Sequence, residues 1–440
     1  MVSARLTLAE TLARFAAEAS PDAAARTAGR RTLVNTVAVA VGGSRSEATE
    51  LALRVARELG PAPEAQVVGR ADRLATRWAA FVNGVSAHVD DFDDTHFETI
   101  VHPGAAVVPA ALASAETGGT SSADLVDAVV VGVEIALRLG LTVYPAAFDK
   151  GWHMSGIVGP IGAAAAAGRA LGLDRSSMRY ALSRAAVQGA GTQEALGTMT
   201  KSFHLGKAAA NGLEAAVEAK TGLTGPPEAL DGFPRLFSGD AALPERAVRD
   251  LGTVWEIERN AFKPYSCGVV SHAAIDGAIQ LRREGCDWRA VARVEVRTNP
   301  VVLDVMGVRE PDAELPAKFS VYHCVAVGLR DGAAGPPQFA DRVVRDPELV
   351  ALRHSVEVTL DPTCRVDEST MTAILRDGSI RSAHIEHARS SAAAPLSDED
   401  LREKAHTAAD GVLGREAVDR LVGALFSDTA PSELAALTVP

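Results

Sequence analysis

A short stretch of the chain, AHVDDFDDTHFETIVHPG at residues 87–104, concentrates groups that can move protons or bind ions. Five acidic residues and three histidines lie within these 18 positions. If the stretch ends a helix that begins near Asp72, then His88, Asp91 and Thr95 share one face of that helix. Such a cluster favours acid–base chemistry and anion binding, because burial separates the pKa values of carboxyl and imidazole groups. A divalent-metal site or a solvated acidic helix end is the alternative.

Two histidines precede expected helix starts. His102 comes before Pro103, which is suited to the first turn of a helix, so His102 would lie at the positively polarised end of that helix. His153, in GWHMSGIVGPIG, comes before a glycine-rich helix start whose free N–H groups favour an anion. A structural role is the commoner one for a single histidine, so the signal at His153 is weak by itself.

Basic residues recur in three later segments. In TMTKSFHLGKAAANG, Lys201, His204 and Lys207 have three-residue spacing and would form a carboxylate or phosphate receptor at a helix N-terminus. A solvated basic face is the alternative, and no nucleotide-binding glycine pattern accompanies them. The second segment contains Lys263, Tyr265, Ser266, Cys267 and His272, and the third contains Lys318, Tyr322, His323 and Cys324. Because basic residues recur in an otherwise acidic protein, the sequence suggests a polyanionic substrate.

The composition describes a well-folded globular protein. The chain of 440 residues is 47% hydrophobic and 23% charged, and its length predicts two or three domains. A net charge of −12 disfavours a nucleic-acid partner, which usually needs a basic face. Four cysteines without a CxxC pair exclude zinc ribbons and thioredoxin-like chemistry.

Neither apolar region has the pattern of a targeting or membrane segment. Residues 1–19 are amphipathic and carry two glutamates, so they indicate a first helix and not a signal peptide. The most apolar stretch begins at Leu125 and contains Asp127, Glu134 and Arg138, which indicates a buried core helix. We therefore expect a cytoplasmic protein with no membrane partner.

The first 263 residues have the apolar spacing of helices. One helix is expected to begin after Ser46 as N-cap and to end at Gly60. Residues 159–174 are so rich in small side chains that a neighbouring helix backbone must approach them closely. A further helix is expected from Ser202 as N-cap to Gly222.

After residue 285 the pattern changes to strands. Residues 289–299 and 354–361 alternate apolar and polar side chains, and a hairpin is expected around Asp377-Gly378. With the helices among these strands, this predicts an α+β domain at roughly residues 270–395. The closing segment is helical again and is expected to return to the first domain.

Five segments in this order resemble the MmgE/PrpD family, which includes 2-methylcitrate dehydratase, cis-aconitate decarboxylase and iminodisuccinate epimerase. They are AHVDDFDDTH…HPG, GWHMSGIVGPIGAAAAAGR, MTKSFHLGKAAANGLEAA, FKPYSCGVVSHAAID and KFSVYHCVAVGLRDG. The resemblance implies a mainly α protein with a large all-helical domain, residues 1–268 plus the tail 397–440, and a smaller α+β lid domain, residues 269–396. It also implies a homodimer that uses no metal and no organic cofactor.

The expected site combines the resemblance with the segments above. Lysines would hold substrate carboxylates, histidines would move the proton, Asp91 would tune one of them, and Tyr322 would protonate a leaving hydroxyl or close the site. The expected catalytic residues are Asp91, His102, His153, Lys201, Lys263 and Tyr322. The expected substrate-binding residues are Thr95, His96, His204, Lys207, Ser266 and His272.

Two departures from the family's decarboxylases bear on the reaction. Those enzymes have a KRFPAH-like stretch with a histidine five residues after the lysine, and here that position is Gly268. The loop from Thr95 to His102 is also one residue longer. We therefore expect a hydro-lyase that acts on a small polycarboxylate of the citrate or 2-methylcitrate type. An epimerase of an iminodisuccinate-like acid, with Cys267 and Cys324 as either a thiol pair or core residues, and a cis-aconitate-like decarboxylase are the alternatives.

Overall fold

The computed structural model describes residues 6–60 and 62–440. Helices dominate the described chain, as its apolar spacing predicts. The helices are α1 Leu8–Glu18, α2 Ala23–Gly43, α3 Glu47–Leu59, α4 Thr76–His88, α5 Gly104–Gly118, α6 Ser122–Val143, α7 Ala146–Asp149, α8 Met154–Ala170, α9 Arg175–Ala186, α10 Met199–Lys220, α11 Ala229–Ser238, α12 His272–Arg283, α13 Val301–Met306, α14 Glu314–Ala317, α15 Val321–Asp331, α16 Pro336–Phe339, α17 Asp341–Val344, α18 Pro347–His354, α19 Asp398–Leu413, α20 Arg415–Leu425 and α21 Pro431–Leu437. The strands are β1 Ala65–Gln66, β2 Arg73–Leu74, β3 Asp94–His96, β4 Asn260–Phe262, β5 Val291–Thr298, β6 Val356–Leu360, β7 Ser369–Leu375 and β8 Ile380–Ile385.

Helices α4, α5, α6, α8 and α10 pack against one another and form the centre of a large helical core. The small residues of α8 allow this, as their sequence predicts. A Cβ atom at Gly162 would lie 2.7 Å from the backbone oxygen of Gly132 on α6, and one at Gly212 of α10 would lie 2.4 Å from that of Pro160. Only glycine permits such an approach of two helix backbones.

Two predicted helix boundaries have different outcomes. The prediction for α3 is confirmed, since Oγ of Ser46 accepts a hydrogen bond from the backbone N–H of Thr49 at 3.2 Å and the helix ends before Gly60. The predicted N-cap at Ser202 is wrong, because α10 already begins at Met199. Ser202 instead donates its hydroxyl to the carbonyl of Met199, as a serine inside a first turn does.

The second core contains a four-stranded sheet in the order β6-β5-β7-β8. Strands β5 and β6 are parallel, and the other two pairs are antiparallel. The predicted hairpin joins β7 to β8, and Gly378 has the positive φ of +84° that its turn needs. Helix α12 packs on this sheet and α15 packs on α12.

The closing segment packs against the first core. Helix α19 lies on α2, and Leu401 and Leu421 belong to the same apolar cluster as the N-terminal helices. Within residues 6–60 and 62–440, no helix combines the length and apolar character that crossing a bilayer requires.

Candidate active site

The acidic stretch is a turn and a short strand, not the end of a helix. Helix α4 stops at His88, and Asp91 has a φ of +49°, in the left-handed region that an α-helix cannot continue through. The prediction that His88, Asp91 and Thr95 share a helix face is therefore wrong. Thr95 lies on β3, and its buried hydroxyl has no partner among the described residues.

A short ladder brings a distant lysine to this turn. Strands β3 and β4 pair antiparallel, with Asp94 opposite Phe262. The next pair continues that register, because the backbone N–H of Lys263 donates to the carbonyl of Asp93 at 3.1 Å. The Nζ atom of Lys263 then lies 2.8 Å from Oδ1 of Asp91 and 3.4 Å from Oδ1 of Asp93.

A second lysine reaches the same carboxylate oxygen. Lys201 lies in the first turn of α10, and its Nζ is 2.6 Å from Oδ1 of Asp91. Burial by itself would raise the pKa of Asp91, but the two ammonium groups outweigh it and hold that pKa well below the ordinary value. Burial lowers the pKa of Lys201, whereas Asp91 and Asp93 outweigh burial at Lys263 and raise its pKa.

His102 is a neutral imidazole whose Nε2 has no hydrogen-bond partner among the described residues. Its Nδ1 lies 2.7 Å from the backbone oxygen of Asp94, and since a carbonyl only accepts, Nδ1 carries the proton. Burial, with the charge of Lys263, lowers the pKa of His102 to about 3. Nε2 therefore keeps a lone pair, which suits a proton acceptor. The prediction that His102 precedes a helix is confirmed, since α5 begins at Gly104.

His153 is the N-cap residue of α8, as its sequence position predicts. Its Nδ1 lies 3.0 Å from Nδ1 of His204, and its Nε2 is buried with no partner among residues 6–60 and 62–440. Burial, then the charge of Lys201, lowers the pKa of His153 well below the ordinary value. This imidazole is therefore also neutral.

His88 and Asp93 lie behind these groups. Nδ1 of His88 is 2.6 Å from Oδ2 of Asp93, and the rings of His88 and His102 have centroids 5.2 Å apart. One ligand atom each from His88, Asp91 and Asp93 lies within 4.8 Å of the others, as in a metal site. The two lysine ammonium groups already occupy the Asp91 carboxylate, however, and they would repel a divalent cation there.

Asp94 has a structural role in holding the turn to α5. Its carboxylate accepts the backbone N–H of Gly104 at 3.0 Å and the amide of Asn260 at 2.7 Å. Burial, and next to it the charge of Asp93, raises the pKa of Asp94 to about 7.

These groups line a small, partly open cavity of about 60 Å³. Five of the six predicted catalytic residues line it, namely Asp91, His102, His153, Lys201 and Lys263. Tyr322 does not; its ring lies 4.2 Å from the guanidinium of Arg309. The remaining walls are Ile100, Phe148, Trp152, Met154, Gln193, Leu196, Gly268, Val269, Val270, Val305 and Phe319.

The six predicted substrate-binding residues lie outside this lining. Thr95 and His204 are described above. Lys207 is exposed and lies beside Phe81. Nε2 of His96 is 3.6 Å from Glu256. The last two positions are Ser266, whose hydroxyl accepts from Nζ of Lys318 at 3.2 Å, and His272, which packs edge-on against Tyr265.

Several wall residues carried no signal in the sequence. Trp152 adjoins His153, and Phe319 lies within the segment KFSVYHCVAVGLRDG, so the neighbourhoods of both were visible, but Gln193 comes from an unrelated segment. The thiols of Cys267 and Cys324 are fully buried in the second core and do not line the cavity.

A larger cavity of about 590 Å³ lies between the second core and α19. Among its lining groups, Tyr265 donates to Asp276, and Arg389 donates to Asp400. The smaller cavity, with its free imidazole nitrogens and converging lysines, has the chemistry of an active site.

Two family models match this chain. A model of the MmgE/PrpD N-terminal domain matches residues 7–244, and a model of the MmgE/PrpD C-terminal domain matches residues 265–426. The chain belongs to the MmgE/PrpD family.

Relatives of this MmgE/PrpD chain include three enzymes of one activity. The cis-aconitate decarboxylases of Homo sapiens and Mus musculus are each 29% identical to it, over 412 and 413 residues. These matches cover 89% of this chain and 85% and 84% of those proteins. The cis-aconitate decarboxylase of Aspergillus terreus strain NIH 2624 is 28% identical over 365 residues, which cover 76% of this chain and 74% of that protein. The chain is thus an enzyme of the MmgE/PrpD family.

Proposed function

We propose that this enzyme is a cofactor-independent hydro-lyase, which eliminates water from a small polycarboxylate of the citrate or 2-methylcitrate type. One observation carries the proposal: the ammonium groups of Lys201 and Lys263 converge on Asp91 at 2.6 and 2.8 Å, beside two neutral imidazoles. This arrangement combines fixed positive charge with groups that accept and donate protons.

The lysines supply the electrostatic part of the reaction. Loss of a proton next to a carboxylate builds negative charge on that carboxylate, and positive groups already in place stabilise the charge without reorganisation. Lys201 and Lys263 are 6% and 1% exposed, so their charges act where water screens little. Asp91 keeps both ammonium groups in position while no substrate carboxylate is bound.

The imidazoles supply the proton transfers. His102 and His153 both line the cavity and both are neutral, so either can take the proton from carbon. The resulting imidazolium, or its partner, then protonates the leaving hydroxyl. Both assignments fit the geometry, because the Nε2 atom of each ring has no hydrogen-bond partner among the described residues. Tyr322 lies outside the lining of the cavity.

Movement of the walls would widen this small, partly open cavity for the substrate. A polar contact joins the walls to the turn: Nζ of Lys318 lies 3.1 Å from the backbone oxygen of Asp90, next to Asp91. Lys318 precedes the wall residue Phe319, so movement of the proposed lid, residues 269–396, would open the cavity and release the turn together.

Decarboxylation of a cis-aconitate-like acid is the second candidate. Similarity to three cis-aconitate decarboxylases favours it. The wall position Gly268 argues against it, since it offers no imidazole where the family's decarboxylases have a histidine. The homodimer remains a proposal that rests on the family resemblance, and the cytoplasmic location remains a proposal that rests on the sequence pattern.

Proton NMR in D₂O tests these candidates. Purified, EDTA-treated enzyme is incubated with citrate, 2-methylcitrate, cis-aconitate and iminodisuccinate in turn. Formation of an alkene with loss of water supports the hydro-lyase and identifies its acid. A product with one carboxylate fewer than its substrate identifies a decarboxylase, and deuterium entry at the α-carbon with inversion alone identifies an epimerase.

A further inference from the structure

We propose that His204 is a proton-relay residue, which carries protons between His153 at the cavity and the solvent. The sequence suggests a substrate-binding role for His204, but the ring lies outside the cavity lining and contacts His153 instead. The proposal rests on the proposed function, since it assumes that His153 exchanges a proton with the substrate.

The rings of His153 and His204 are joined by a hydrogen bond. Their Nδ1 atoms are 3.0 Å apart and their centroids 5.2 Å apart. One proton must lie between these nitrogens, because two N–H groups would repel each other and two lone pairs would form no bond. Either ring can hold that proton, so the pair has two tautomeric arrangements of similar geometry.

Solvent exposure increases from His153 to His204. His153 is 7% exposed, and its Nε2 has no partner among the described residues, whereas His204 is half-buried. His102 has no such outlet, because its Nδ1 ends on the carbonyl oxygen of Asp94, which cannot accept a proton and pass it on. Of the two cavity imidazoles, His153 is therefore the one whose Nδ1 is hydrogen-bonded to a second ring.

The backbone leaves room for this ring. Gly191 has a φ of +131°, and a Cβ atom there would lie 2.8 Å from Nδ1 of His204. The carbonyl of Gly191 accepts the backbone N–H of His153 at 3.0 Å. One glycine thus holds His153 at the N-terminus of α8 and at the same time allows the His204 ring to lie against it.

The proton transfers balance. Nε2 of His153 takes a proton from the substrate, the proton on Nδ1 of His153 passes to Nδ1 of His204, and Nε2 of His204 releases a proton to water. Both rings are then neutral in the opposite tautomer. The reverse sequence delivers a proton from water to the substrate, and no electrons are transferred.

Two substitutions test the relay with the substrate that the NMR panel identifies. His204→Ala removes the ring, and His204→Gln keeps a hydrogen-bonding amide that cannot relay a proton. We expect kcat to fall roughly 10²-fold in both, at the lower end of what a positioned proton-transfer group contributes. KM should change little, since His204 does not touch the substrate. His354→Ala, at an exposed histidine bonded to Glu310, is the matched control and should keep full activity.

Added imidazole separates a relay from a structural role. It should restore kcat of His204→Ala at least tenfold by filling the space of the missing ring, and it should leave His204→Gln unchanged. A His204→Gln variant as active as the wild type would overturn the proposal, as would a His204→Ala variant that imidazole does not restore. If the wild type turns over no acid of the panel, the proposed function falls and the relay falls with it.

Discussion

Lys263 and Asp91 are 172 residues apart in the chain, yet Nζ of Lys263 lies 2.8 Å from Oδ1 of Asp91. The antiparallel pairing of β3 and β4 causes this contact, because it aligns the residue after Phe262 with the residue before Asp94. Lys201 approaches the same oxygen from α10. The carboxylate of Asp91 is thus the point at which three distant segments meet.

Asp91→Asn should abolish most activity while the turn keeps its shape. Asparagine tolerates the positive φ of +49° found here, so the backbone remains unstrained. Two buried ammonium groups would lose their shared partner, which should destabilise the protein by about 3 kcal/mol. Urea unfolding and turnover on the identified substrate measure both effects. Full activity of this variant would contradict the proposed site.

Lys201→Ala and Lys263→Ala should each lower kcat/KM by roughly 10²- to 10³-fold, as removal of a positioned electrostatic group does. Lys207→Ala is the control, since Lys207 lies on the same helix as Lys201 but is exposed and outside the cavity. It should stay within about twofold of the wild type. Equal losses in all three variants would indicate a general effect of basic charge and not a site.

His102→Gln should reduce the loss of stability in acid. In the folded protein the pKa of His102 is about 3, below its ordinary value of 6.5. Between these values the unfolded chain binds a proton that the folded protein does not, so stability falls as pH falls from about 6.5 toward 3. The free energy of unfolding, measured with urea, should decrease between pH 7 and about pH 4.5 in both proteins. That decrease should be about 2 kcal/mol smaller in the variant than in the wild type. Identical pH dependence would show that His102 is not buried as a neutral ring.

Removal of metal ions should leave the activity unchanged. The His88–Asp91–Asp93 group has the spacing of a metal site, but two ammonium groups hold the Asp91 carboxylate. Turnover is measured before and after dialysis against EDTA, and then after addition of Zn²⁺, Mn²⁺ or Mg²⁺. Activity lost on dialysis and restored by one of these ions would overturn the cofactor-independent mechanism.

The sequence by itself determined the local elements and the segments that carry the chemistry. Periodicity and turn residues located α3, the β7–β8 hairpin and the α5 and α8 starts that follow His102 and His153, because these depend on neighbouring residues. Five of the six predicted catalytic side chains line the cavity, and these were selected by the family resemblance together with the segments that carry the chemistry.

Only the tertiary structure decided how those segments meet. The left-handed turn at Asp91 broke the predicted helix, since its geometry is stabilised by contacts with Lys201 and Lys263 from far along the chain. His204 turned toward His153 and away from the cavity, because Gly191 leaves space for its ring there. Helical spacing predicts which residues share a face, but it contains no information about the partner that the face will contact.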